Sequence, residues 1–148
     1  MRAETNTMPD PRLTLRSCLD DLTLLWSWTD ALAAEYAIPA DTQFAIQLCL
    51  EEALSNIIRH GHGEDLGQSI TVECLETDPH HLVFTIEDQA PPFDPLASAD
   101  KPAPVPSSIE DLTAGGRGIQ LMRKFAGTLA YERLPGGNRL SIGFTIRN

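Results

Sequence analysis

From Gln89 to Gly115 the chain carries six of its 11 prolines and shows no clear hydrophobic period beyond a short helical pattern at Ser107 to Leu112. That stretch constrains the fold more than any other. Compact domains rarely keep so long a connection unless it is a lid or a binding loop, or is disordered. The regular elements fall to either side of it. Leu13 and Leu15 alternate with polar residues over Arg12 to Ser17, a first strand. Ser17 then reads as the cap of a helix to about Tyr36, with Leu22, Leu25, Trp26 and Leu32 on its apolar side. Pro39 and Asp41 or Thr42 start a second helix carrying Phe44, Ile46, Leu48, Leu54 and Ile57 through to His60, with Gly61 as its stop. Ser69 to Glu76 and His81 to Glu87 alternate as a hairpin around Asp78-Pro79. Beyond the loop, a helix opens near Ile119, and Thr128 to Glu132 and Arg139 to Ile146 read as strands around Pro135-Gly136-Gly137-Asn138. The order β-α-α-β-β, loop, α-β-β predicts an α+β two-layer sandwich, its helices on one face of a mixed, mostly antiparallel sheet.

Size and charge narrow the function. A chain of 148 residues supports one core that buries roughly two thirds of its unfolded surface. Residues 1–10 read as a flexible tail without the apolar region of a leader, and 11–148 as a single domain. The formal charge of -10 comes from 21 acidic against 11 basic residues with no dense Lys/Arg block, which argues against direct nucleic-acid binding. Cys18, Cys49 and Cys74, odd in number and set in apolar stretches, read as reduced core thiols and point to the cytoplasm. No window approaches the ~18 apolar residues of a membrane span.

Three stretches can carry chemistry. In "EEALSN", Glu52 and Asn56 stand four apart on one helical face. They either address one ligand from a rigid element or belong to a polar stripe with Glu51 and Arg59. In "EDQAPPFDP", Asp88 ends an alternating strand before a turn with Phe93 and Asp94. It is either an acceptor suited to an exocyclic amine such as that of adenine, with an aromatic to cover it, or a turn initiator. In "GGRGIQLM", Gly115, Gly116 and Gly118 stand at a helix N-terminus. Free amides and the helix dipole suit phosphate there, although a plain loop-to-helix joint has the same composition. Arg117 between the glycines touches phosphate or faces solvent. The stretch lacks both the Gly-Lys-Ser/Thr ending of a Walker loop and the preceding strand of a Rossmann turn. His60 and His62 have no neighbouring cysteine or carboxylate pattern of a metal site. Trp26 and Trp28, two apart, cannot share one helical face, so one is left available to a partner.

In this order the three stretches resemble the nucleotide-binding fold shared by gyrase, Hsp90, histidine kinases and MutL. Within it they resemble the anti-sigma factor serine kinases of the RsbW and SpoIIAB type, over about Leu13 to Ile146. The resemblance implies that Glu52 is the general base and that Asn56 coordinates the Mg2+ bridging the phosphates of ATP. It places Asp88, Ala90 and Phe93 at the adenine, and Gly115, Gly116, Arg117, Gly118 and Ile119 at the phosphates, with 89–115 as the ATP lid. It further implies a cytoplasmic, homodimeric protein serine/threonine kinase. Such a kinase phosphorylates a serine of an anti-anti-sigma (STAS) partner and sequesters a sigma factor. The alternative is a non-catalytic, nucleotide-sensing docking module in the same kind of pathway. One departure matters: Ala90, followed by Pro91, stands where the family usually has glycine. A left-handed backbone there costs on the order of 1 kcal/mol, so either the turn differs or nucleotide affinity falls.

Overall fold

The computed structural model describes residues 9–61, 65–92, 94, 96 and 117–147. The first strand, β1 (Arg12–Ser17), leads through a 3-10 turn (Leu19–Leu22) into α1 (Thr23–Tyr36) and α2 (Ala40–Asn56). A π-helical turn (Ile57–Gly61) follows, then β2 (Asp65–Asp78), β3 (His81–Asp88), α3 (Arg117–Phe125), β4 (Thr128–Leu134) and β5 (Gly137–Thr145). The strands lie in the order β1-β2-β3-β5-β4, and all four ladders are antiparallel. With the helices over one face, this is the α+β two-layer sandwich expected from the sequence.

Strand alternation builds the helix-facing side. In β3 every second residue is buried, so Leu82, Phe84 and Ile86 enter the core and Asp88 follows them to the same face. In β5 the same period buries Asn138, Leu140, Ile142 and Phe144. Phe84 meets Trp28 of α1 and Phe144 of β5 edge-on, at centroid distances of 5.9 and 6.0 Å. Helix α2 packs against both α1 and α3, with Ala45, Ile46, Cys49, Leu50, Ala53 and Leu54 turned inward. The opposite face of the sheet is polar and carries cross-strand pairs such as Arg139 with Glu87 (2.8 Å) and Glu132 (3.1 Å).

Four expectations are corrected. Ser17 does not cap a helix: it pairs with Asp65 as the buried last residue of β1. Asp21 in the 3-10 turn ties that strand end instead, accepting from Arg16 N (2.9 Å), Nε (3.0 Å) and Nη2 (2.8 Å). With α1 starting later, its phase turns Trp28 inward, 8% exposed and donating through Nε1 to Asp10 O at 2.8 Å, and leaves Trp26 42% exposed. Phe44, expected on the apolar side of α2, is 61% exposed because the inward face runs through its neighbours Ala45 and Ile46. The hairpin of β4 and β5 turns on Pro135-Gly136 alone, with Gly136 at φ 80° as position i+2 of a type II turn requires, so Gly137 and Asn138 are strand residues. The short helix expected at Ser107 to Leu112 lies outside the described residues.

Candidate functional site

The site forms where α2 ends over the sheet. Asn56 is the last α-helical residue, and the π-helical turn that follows widens the backbone, a feature frequent at functional sites. Ile57 and Ile58, both buried, anchor that turn. Asn56 is 4% exposed, and its Oδ1 is the one buried side-chain oxygen or nitrogen among the described residues without a hydrogen-bond partner. Leaving such an acceptor unpaired costs roughly 1–3 kcal/mol, so a group from outside the chain is the expected partner. Asn56 opens on a small pocket shared with Ala53, Ile57, Asp88, Tyr131, Asn138 and Leu140.

The turn reading of Asp88 holds at one of its two oxygens. Oδ1 accepts from Ala90 N at 2.8 Å, a turn, and from Asn138 Nδ2 at 2.8 Å. Oδ2 makes no hydrogen bond among the described residues, and Asp88 lines the pocket. Gly137 is pressed so closely against this strand end that a Cβ there would stand 2.1 Å from Asp88 O. Ala90 is buried, and Ala37 is the sole non-glycine with positive φ among the described residues, so Ala90 is not left-handed. The left-handed strain expected at Ala90 is therefore absent.

Glu52 stands one turn before Asn56 on α2, half-buried and outside the lining of that pocket. Burial pushes its carboxyl above the usual value; Arg59 opposes the shift and Glu51 adds to it. Ser55 between them is packing, its hydroxyl donating to Glu52 O at 3.2 Å. Helix α3 starts at Arg117, two residues before the expected Ile119, so Gly118 and Ile119 belong to its first turn. Gly115, Gly116, Phe93 and the stretch 97–115 lie outside the described residues. Asp94 is a turn residue, with Oδ1 accepting from Leu96 N at 2.8 Å. Among the described residues no group of three or more His, Cys, Asp or Glu is arranged to hold a metal. The sequence reading missed Tyr131 and Asn138. The Pro-Gly dipeptide held the signal that Asn138 is a strand residue, since a two-residue turn leaves it outside the loop, but not that it pairs with Asp88.

The α+β sandwich thus brings a buried amide at the end of α2 and an acid at the end of β3 to one pocket. Residues 15–144 match the family model described as Histidine kinase-like ATPase domain, and the chain belongs to that family. It is 30% identical over 115 residues, 78% of this chain and 79% of the other, to Serine/threonine-protein kinase BtrW of Bordetella bronchiseptica. Among solved structures, the catalytic domain of histidine kinase ThkA superposes with a TM-score of 0.52 at 12% identity, covering 91% of this chain and 95% of that one. The blue-light activated histidine kinase of Erythrobacter litoralis EL346 superposes with a TM-score of 0.52 at 20% identity, covering 74% of this chain and 32% of that longer one. At these identities the two structures establish the fold alone. No helix among the described residues is long and apolar enough to cross a membrane.

Proposed function

We propose that the chain is an ATP-dependent protein serine/threonine kinase that phosphorylates a serine of a STAS-domain anti-anti-sigma partner. The observation that carries this reading lies on α2, where a half-buried carboxyl, Glu52, precedes by one turn a buried amide, Asn56, whose oxygen has no partner among the described residues. The kinase named among its relatives supports it. An uncharged oxygen donor suits Mg2+, which keeps several waters and needs few protein ligands, so Asn56 would hold that ion. When bound, the ion neutralises charge on the phosphates of ATP.

The remaining roles complete the proposal. Asp88 Oδ2 accepts from the adenine amino group, and Ala53, Ile57 and Leu140 flank the base. The first turn of α3, with Arg117, Gly118 and Ile119 preceded by Gly115 and Gly116, offers amides and the helix dipole to the phosphates. Glu52 takes the proton of the serine hydroxyl while that oxygen bonds to the γ-phosphorus and the bond to the β-γ bridging oxygen breaks, leaving phosphoserine and ADP. Its raised pKa improves it as a base near neutral pH. Phosphoserine adds charge to the docked interface and releases the substrate. A sequestered sigma factor, a homodimer and a cytoplasmic setting complete the proposal and rest on the resemblance of the three boxes. The test is transfer of labelled γ-phosphate from Mg-ATP to a purified STAS-domain protein. Acid-stable label on serine is expected; acid-labile label on histidine, or none, contradicts it.

A further inference from the structure

Three strands place Asp88 of β3, Asn138 of β5 and Arg133 of β4 in one row, since Asp88 is the register partner of Asn138 and Asn138 that of Arg133. Two of the three are nearly sealed from solvent, Asp88 at 5% and Asn138 at 4% exposed. The Asn138 amide bridges them with a fixed sense. Its Nδ2 donates to Asp88 Oδ1 (2.8 Å), Pro91 O (3.1 Å) and Ala90 O (3.2 Å). Its Oδ1 accepts from the Tyr131 hydroxyl at 2.5 Å and from Arg133 Nη1 at 3.4 Å. Guanidinium only donates, and a carboxylate and peptide carbonyls only accept, so turning the amide over would set donor against donor and acceptor against acceptor. Arg133 Nη1 also donates to Ala90 O at 2.8 Å, so the turn after Asp88 is tied to β4 and β5 by side chains.

We propose that Asn138, oriented by Tyr131 and Arg133, is a positioning residue that gives the pocket its selectivity for a 6-amino purine. By occupying Asp88 Oδ1 together with Ala90 N, it fixes the carboxylate so that Oδ2 remains as the acceptor facing the ligand. The same side chains hold the Ala90-Pro91 turn without a glycine. This inference rests on the nucleotide-binding reading of the pocket.

The experiment compares the affinities of Mg-ATP and Mg-purine riboside triphosphate, which carries hydrogen in place of the 6-amino group. It uses the full chain, Asn138→Leu and Tyr131→Phe, with folding checked by circular dichroism. The wild type is expected to prefer ATP by roughly 10- to 100-fold, the range for a hydrogen bond to a charged group. In Asn138→Leu the preference falls to within about threefold of unity, with ATP losing clearly more affinity than the analogue. In Tyr131→Phe, which alters one hydroxyl and keeps the ring, the preference falls by a smaller factor; this variant decides the matter if Asn138→Leu does not fold. Equal weakening of both nucleotides, or a preference retained in the variants, overturns the positioning role and leaves the kinase reading standing. A wild type that binds neither nucleotide overturns both.

Discussion

Glu52, the proposed general base, works against the stability of its own fold. Burial raises its pKa, so the folded chain holds that proton more tightly than the unfolded chain does. The contribution of this group to stability therefore declines as pH rises from the ordinary 4.5 through the raised folded value, and the loss persists above it. Glu52→Gln removes the penalty. The expected melting temperature at pH 7 is equal to or above that of the wild type, while phosphotransfer drops by about 10²- to 10⁴-fold, the range for a missing general base. A variant that melts lower would show that the charge is satisfied in the fold. The placement of Glu52 and Asn56 one turn apart on α2 was legible in the sequence because a spacing of four on a helix is local arithmetic. Asn138 was not, because its partner Asp88 lies 50 residues away and only the strand register brings them together.

At the level of elements, strand interiors followed from alternation and their ends did not. β2 starts at Asp65, four residues before the alternation at Ser69, because pairing with β1 extends it, and that same pairing claims Ser17. The end of α1, by contrast, falls at Tyr36, where the sequence places it, although no glycine marks the stop. Ala37 closes it at φ 52°, with Ile38 N donating to Ala33 O at 2.9 Å, a position that favours glycine. Ala37→Gly is expected to stabilise the chain by about 1 kcal/mol in urea titration, and a loss of stability would show that the αL conformation is unstrained here. Two strand glycines should respond differently to alanine. A Cβ at Gly137 meets a backbone oxygen, Asp88 O at 2.1 Å, whereas at Gly143 it meets the rotatable Thr128 Oγ1 at 2.3 Å. Gly137→Ala should lose roughly 1–3 kcal/mol or more, and Gly143→Ala clearly less.

The whole molecule was legible because each period has one fate. Alternating segments made one sheet, and 3.6-residue segments covered one face of it. The core that results protects its thiols: Cys49 and Cys74 are buried, and burial pushes both to about 12, while Cys18 is partly exposed. Native protein should therefore show one thiol reactive toward a disulfide reagent at pH 8, and three once unfolded in urea. The division of labour on α2 is open to one direct measurement: calorimetric titration of Mg-ATP into the wild type, Glu52→Gln and Asn56→Ala, with phosphate transfer to a STAS-domain protein read on the same samples. Binding that is unchanged in Glu52→Gln while transfer is lost, and weakened roughly tenfold or more in Asn56→Ala, is the expected result. No binding to the wild type at millimolar Mg-ATP, or undiminished transfer by Glu52→Gln, would contradict it.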